Sequence, residues 1–146
     1  MLSDAYAPVS LVVYGRVMKN SPVLNGLRLL VVEDEAMIAM MLEDMLGGLG
    51  CVVVDVAGTV SKGLDLAGNL SLRFDGAILD VNLAGEQVYP VAERLAARGV
   101  PFIFCTGYGR TGLAENFAHV PTLAKPYMRE ELELILMKAL VEPRAH

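Results

Sequence analysis

Short apolar runs alternate with amphipathic segments from residue 27 onward. Continuous apolar runs of four to eight residues are typical of strands buried on both faces, and apolar residues recurring every three or four positions are typical of helices. The apolar runs predict five strands over residues 27–32, 51–56, 74–79, 101–105 and 120–124. The segments between and after them predict helices over residues 36–46, 60–70, 87–98 and 130–140, a short helix at 113–117 and a loop at 81–85.

This alternation predicts an α/β fold with one parallel sheet covered by helices on both faces. Right-handed crossovers leave few arrangements of five parallel strands. We expect the doubly wound order 2-1-3-4-5, the flavodoxin-like and CheY-like order, in which ligands bind at the carboxyl ends of the strands near the switch point.

The chain divides into a short extension and one domain. Residues 1–26 contain Pro8 and Pro22 and end in the turn signal Asn25-Gly26. We predict a loosely packed N-terminal extension over residues 1–26, in which residues 9–14 could instead form a short strand or helix, followed by a single domain over residues 27–142.

Composition excludes several classes of protein. With 54% hydrophobic and 20% charged residues the chain has enough apolar material for a core. Its net charge of −5 argues against a nucleic-acid partner. Mean hydropathy is +0.47, but no uncharged apolar run approaches the roughly 18 residues of a membrane helix. Cys51 and Cys105 lie inside apolar runs, as core residues do. We expect a cytoplasmic protein without membrane contact.

Polar side chains stand where the predicted strands end. Glu33 and Asp34 follow the first strand, and Asp80 follows the third. Thr106 and Lys125 follow the fourth and fifth. Because the carboxyl ends of parallel strands share one edge of a sheet, these five side chains are expected to lie close together.

Three carboxylates in one place predict a divalent cation site. Without a cation they repel one another, which raises their pKa values. Mg²⁺ prefers oxygen ligands and keeps several waters. We predict a Mg²⁺ site formed by Glu33, Asp34 and Asp80, completed by the backbone carbonyl of Asn82.

The same constellation favours phosphoryl transfer. A carboxylate can attack phosphorus to form an aspartyl phosphate, and the reaction needs mainly positioning and charge neutralisation. Asp80 is the preferred nucleophile because its strand is central in the predicted sheet. Lys125 would place an ammonium group, and Thr106 a hydroxyl donor, on the phosphoryl oxygens.

Each of these residues also has an ordinary structural interpretation. Glu33 and Asp34 could be acids at a helix N-terminus, Asp80 a loop acid, Thr106 a turn residue and Lys125 a solvated strand end. Their joint occurrence at the ends of four strands favours a site.

At this point the sequence resembles the receiver domain of two-component response regulators over residues 27–140. The matching motifs, in the family's order, are Val31-Val32-Glu33-Asp34-Glu35, Leu79-Asp80-Val81-Asn82-Leu83, Thr106-Gly107 and Lys125-Pro126. The resemblance implies that Glu33 and Asp34 bind Mg²⁺ and that Asp80 accepts a phosphoryl group from a histidine kinase or phosphotransferase. It also implies that Thr106 and Lys125 sense the phosphoryl group and that the Lys125-Pro126 bond is cis.

The run Phe104-Cys105-Thr106-Gly107-Tyr108 is similar to the Phe-Ala-Thr-Gly-Tyr signature of a single-domain receiver subgroup of alphaproteobacteria. Most receivers carry a switch aromatic three residues before the lysine, where this chain has Thr122. Tyr108 and Tyr127 are the alternatives for that role, although packing beside Pro126 is the simpler role for Tyr127.

The resemblance implies a stand-alone response regulator whose phosphorylation switches binding to an output protein, and which is not an enzyme beyond its own phosphorylation and dephosphorylation. Open alternatives are a phosphorelay carrier, a phosphate sink and a binding module that works without phosphorylation. Homodimerisation through helix 4, strand 5 and helix 5 is a further possibility. A phosphatase of small esters is disfavoured, because Asn82 stands where such enzymes commonly carry a second acid.

Overall fold

The computed structural model of the protein describes residues 23–107 and 113–142. The strands are β1 (Arg28–Val32), β2 (Val52–Ala57), β3 (Gly76–Asp80), β4 (Asn82–Leu83), β5 (Glu86–Gln87), β6 (Phe102–Thr106) and β7 (Thr122–Ala124). The α-helices are α1 (Ala36–Gly48), α2 (Val60–Ala67), α3 (Tyr89–Ala97) and α4 (Arg129–Leu140), and residues Glu115–Phe117 form a 3₁₀ helix.

Five of the strands form one parallel sheet in the order β2-β1-β3-β6-β7. Because β4 and β5 pair only with each other, this arrangement is the predicted order 2-1-3-4-5, and the predicted fold class is confirmed. Every residue of the central strand β3 is buried, as expected for a parallel strand covered on both faces.

The sheet separates two apolar layers. Leu30 and Val32 of β1 face the layer under α2 and α3, whereas Leu29 and Val31 face the layer under α1 and α4. Helical residues buried in these layers include Ala67, Val91 and Leu95 on one side and Leu42, Leu46, Leu132 and Leu136 on the other. The alternation along β1 follows from the two-residue period of a strand. Among the described residues, no helix is long and apolar enough to cross a membrane.

The segment after Asp80 differs from the predicted loop. Asn82 pairs with Gln87 and Leu83 with Glu86 in a two-stranded antiparallel hairpin. Its two central residues, Ala84 and Gly85, have φ of 51° and 94°. Positive φ at both positions matches the twist of two-residue hairpin turns, and the Asn82 side chain accepts a hydrogen bond from the Gly85 N–H at 3.0 Å.

Three other segments refine the predictions. The last strand of the sheet is Thr122–Ala124, shorter than the predicted 120–124, because Pro121 has no N–H to donate. The helix expected at 113–117 is a single 3₁₀ turn. Leu24 is fully buried, and the Gly26 N–H donates to the Gly50 carbonyl, so residues just before the predicted domain start pack on the core. Residues 1–22 lie outside the described part of the chain.

Candidate functional site

The carboxyl edge of the sheet brings the predicted polar residues together. Glu33 directly follows β1, Asp80 ends β3, and Thr106 ends β6. Lys125 directly follows β7, and its N–H donates to the Thr106 carbonyl at 2.9 Å. Glu33, Asp80 and Thr106 are the buried polar residues of the described chain, each about one-twentieth exposed. Burial of all three at one sheet edge is unusual for solvated strand ends or turn residues.

Lys125 bridges the two buried acids. Its Nζ lies 3.1 Å from Asp80 Oδ2 and 3.3 Å from Glu33 Oε1. Burial by itself lowers the pKa of Lys125, but hydrogen bonds and attraction to Asp80 and Glu33 outweigh it, and the pKa is raised overall. The ammonium group is therefore fully charged at neutral pH.

Glu33 is the acid most affected by its surroundings. Burial and, to a lesser degree, the negative charge of Asp80 raise its pKa, which is about 7 overall. Two effects lower the pKa of Glu33: the Glu35 N–H donates a hydrogen bond to Glu33 Oε2 at 3.1 Å, and the positive charge of Lys125 attracts the carboxylate. Without a cation, Glu33 therefore holds a proton over much of the acidic pH range.

The acids fit a divalent cation. Glu33, Asp34 and Asp80 each offer one carboxylate oxygen, and the three oxygens lie within 4.8 Å of one another. A hard cation with oxygen ligands, such as Mg²⁺, matches this donor set. The two buried carboxylates also carry more negative charge than one lysine compensates. The residues therefore fit the ion that the sequence predicted.

The hairpin begins immediately beside the acids. The Asn82 N–H lies 3.4 Å from Asp80 Oδ1, which gives a long hydrogen bond. The Asn82 side chain is engaged by the hairpin turn, so Asn82 offers only its backbone to the site. The expectation that its carbonyl completes a metal shell stays a prediction.

Cys105 and Tyr127 pack beneath the site. Cys105 is 3% exposed, and burial raises its pKa to about 12. Its side chain is hydrogen-bonded to that of Tyr127, whose pKa is raised first of all by burial. Tyr127 thus has the packing role predicted for it. The adjoining Lys125-Pro126 peptide bond is cis, as the resemblance implied.

The position of the missing switch aromatic is occupied by a short side chain with its own partner. Thr122 donates its hydroxyl to the Val120 carbonyl at 3.0 Å. Tyr108 lies outside the described residues.

One residue near the site was not singled out from the sequence. Tyr89, at the start of α3, lies among the rings of Phe104 and Phe117. The sequence gives only a weak indication of this cluster. Tyr89 is an aromatic residue before Pro90 at a predicted helix start, and Phe102 and Phe104 alternate along a predicted strand.

Comparisons with known proteins agree with this architecture. No protein-family model matches the sequence. The phyllosphere-induced regulator PhyR of Methylorubrum extorquens is 32% identical over 115 residues, which is 77% of this chain and 43% of PhyR. The chain thus spans less than half the length of this curated relative.

Two solved structures match over nearly their whole length. SdrG from Sphingomonas melonis is 42% identical with a TM-score of 0.66, and the match covers 80% of this chain and 96% of SdrG. The receiver domain of the sensor histidine kinase PA1611 from Pseudomonas aeruginosa, solved with a magnesium ion in its active-site cleft, is 27% identical with a TM-score of 0.66, over 80% of this chain and 99% of that one.

A doubly wound sheet with acids and a lysine at its carboxyl edge defines a receiver-type domain. This chain agrees in fold and sequence with SdrG and with the PA1611 receiver domain over nearly the whole length of both. The chain belongs to the receiver-domain family of response regulators.

Proposed function

We propose that this protein acts as a response-regulator receiver in which Asp80 accepts a phosphoryl group in a Mg²⁺-dependent reaction. The donor would be a sensor histidine kinase or a histidine phosphotransferase, and the reaction would take place in the cytoplasm. One observation carries the proposal: Asp80 is buried beside Glu33 and Asp34 with the Lys125 ammonium 3.1 Å from its carboxylate.

Asp80, Lys125 and Thr106 have different roles in the proposed reaction. An oxygen of Asp80 attacks phosphorus, the P–N bond of the phosphohistidine breaks, and its electron pair stays on the imidazole nitrogen. Lys125 then exchanges its contact with the Asp80 carboxylate for one with a phosphoryl oxygen. Thr106, buried at the end of the adjacent strand, is placed to offer its hydroxyl to another.

Glu33, Asp34, Asp80 and the Asn82 carbonyl are the residues that would hold Mg²⁺. When bound, the ion supplies positive charge that stabilises the phosphoryl oxygens during transfer. Two relatives support this assignment. A magnesium ion occupies the cleft of the PA1611 receiver domain, and SdrG has been solved in a BeF₃-activated conformation, 42% identical with a TM-score of 0.64 over 75% of this chain and 92% of that one.

The output of such a domain is a change in protein binding, and the chain catalyses only its own phosphorylation and dephosphorylation. A relay carrier or a phosphate sink would use the same chemistry at Asp80. Dimerisation through the 3₁₀ segment, β7 and α4 stays a prediction.

The test is the intact mass after incubation with Mg²⁺ and acetyl phosphate or phosphoramidate. We expect one added phosphoryl group on the wild type and none on Asp80→Asn. Asp65→Asn is the matched control, because Asp65 is an exposed acid on α2; it should be phosphorylated like the wild type. A wild-type protein that stays unmodified by small donors and by a histidine kinase would favour the phosphorylation-independent binding module.

A further inference from the structure

Four aromatic rings form one cluster between α3, β6 and the 3₁₀ helix. The Tyr89 ring stacks on Phe117, with centroids 5.4 Å apart and planes 7° from parallel, and meets Phe104 edge-on at 5.8 Å. Phe102 contacts both Phe104 and Phe117. Because aromatic pairs favour particular orientations, the cluster fixes the position of the 3₁₀ helix relative to β6.

A hydrogen bond reinforces this contact. The backbone N–H of Ala114 donates to the Tyr89 hydroxyl at 3.0 Å. Ala114 immediately precedes the 3₁₀ helix. The start of α3 therefore holds the segment of residues 114–117 both by ring stacking and by a polar contact, and a backbone donor that loses its partner is destabilising.

A backbone hydrogen bond also connects the residue before Tyr89 with the residue that follows Asp80. The Val88 N–H donates to the Val81 carbonyl at 2.9 Å, and the Val81 N–H donates to the Cys105 carbonyl at 3.0 Å. Val81 directly follows Asp80, and Val88 directly precedes Tyr89. Two backbone hydrogen bonds of Val81, the residue that follows Asp80, therefore connect the end of β3 to β6 and to the start of α3.

A second connection between the site and Tyr89 runs through β6. Phe104 is fully buried and lies two residues before Thr106. Any movement of the end of β6 shifts the surface on which the Tyr89 ring rests. Energetic coupling between distant positions needs such a contiguous set of packed and hydrogen-bonded groups.

We propose that Tyr89 is a positioning residue that couples the phosphorylation state of Asp80 to the placement of residues 114–117. Its ring and hydroxyl hold this segment, and with it the exposed Glu115 and Asn116, in one position. Phosphorylation of Asp80 alters that hold and so changes the surface presented to a partner. The inference rests on the proposed phosphoacceptor function.

The test compares Tyr89→Phe with Ser61→Ala, which deletes an exposed hydroxyl on α2, away from the site. Backbone amide NMR shifts are recorded with Mg²⁺ alone and with Mg²⁺ plus beryllofluoride, which mimics a phosphoryl group on a carboxylate. In the wild type we expect shifts near Asp80, at Val81 and Asn82, and also at Glu115 and Phe117.

Tyr89→Phe should keep the shifts near Asp80 but lose at least about half of those at Glu115 and Phe117. The Ala114 amide should exchange its hydrogen about tenfold faster, which corresponds to the loss of one hydrogen bond. Ser61→Ala should behave like the wild type.

A second variant removes the other partner of the hydrogen bond. Ala114 has φ of −61°, which proline can adopt, so Ala114→Pro deletes the donor at a compatible backbone angle. It should reduce the Glu115 and Phe117 responses as Tyr89→Phe does, and the double variant should add little to either.

Three results would contradict the inference. Tyr89→Phe could retain the full response at Glu115 and Phe117, or Ser61→Ala could lose it as well; either outcome overturns the specific coupling through Tyr89 while leaving the phosphoacceptor role intact. A wild type without any response at Val81 and Asn82 would instead overturn the phosphoacceptor role, and the coupling with it.

Discussion

Lys125 forms ion pairs with two buried acids at once, and these two contacts dominate the electrostatics of the site. Its Nζ is 3.1 Å from Asp80 and 3.3 Å from Glu33. Both carboxylates also belong to the acid cluster that fits a divalent cation. In the unphosphorylated protein, Lys125 and a bound cation would therefore compete for the carboxylates of Glu33 and Asp80. Once a phosphoryl group is present, both would be attracted to it.

This competition predicts tighter cation binding when the lysine charge is removed. Lys125→Met retains the aliphatic stem, so we expect the affinity for Mg²⁺ to rise by about tenfold or more, because charges a few ångströms apart near a surface interact by several kcal/mol. Phosphorylation of Asp80 by acetyl phosphate should become slower in the same variant. Calorimetric titration with Mg²⁺ measures the affinity.

Lys62→Met is the control for that titration, because Lys62 is an exposed lysine on α2 whose nearest acid is Asp55 at 3.8 Å. It should bind Mg²⁺ like the wild type. Unchanged or weaker binding by Lys125→Met would show that the ion does not share the carboxylates with Lys125.

At the scale of elements, α4 is held to the sheet by an apolar stripe. Leu132 and Leu136 are fully buried in the layer shared with α1, whereas Leu134 on the same helix is 69% exposed. The helix is short and its outer face is charged, so packing of this stripe contributes more to its stability than intrinsic helix propensity does.

Truncation of this stripe should therefore destabilise the domain strongly. Leu136→Ala is expected to lower the free energy of unfolding by about 2–5 kcal/mol, through lost burial and the cavity left behind. Leu134→Ala on the exposed side should change it by about 0.5 kcal/mol or less. Urea unfolding followed by circular dichroism measures both. Similar losses in the two variants would contradict this assignment of the buried face.

For the molecule as a whole, the site is expected to link stability to pH and, through the proposed cation, to Mg²⁺. The pKa of Glu33 is raised from 4.5 to about 7 in the folded protein. Between these values the folded state binds more protons than the unfolded state, so the contribution of Glu33 makes the metal-free domain less stable as pH rises. Cation binding requires the carboxylate form and so reverses this trend.

We therefore expect Mg²⁺ to stabilise the domain more at about pH 8 than at about pH 5.5, and by about 2.7 kcal/mol when its concentration is a hundred times the dissociation constant. Urea unfolding with and without Mg²⁺ at the two pH values measures the difference. Glu33→Gln should remove most of the pH dependence, and Asp65→Asn should leave it. Equal stabilisation at both pH values would mean that Glu33 does not bind the ion.

The strands, their order and the polar residues at the ends of four of them could all be predicted from the residue pattern alone. Apolar runs such as that before Glu33 report burial directly, and the topology of alternating strands and helices leaves few arrangements. The juxtaposition of Glu33, Asp80 and Lys125 follows from that order, because parallel strands end at one edge of a sheet.

Three features could not be predicted and appear only in the folded domain: the hairpin after Asp80, the single 3₁₀ turn at Glu115–Phe117 and the ring cluster around Tyr89. The hairpin depends on positive φ at Ala84, a residue that carries no turn signal of its own. The raised pKa of Glu33 and the contact of Tyr89 with Ala114 depend on burial and on neighbours distant in the chain. Local sequence patterns predict neither the pKa of Glu33 nor the Tyr89–Ala114 contact, because both arise only when the sheet and its helices have packed.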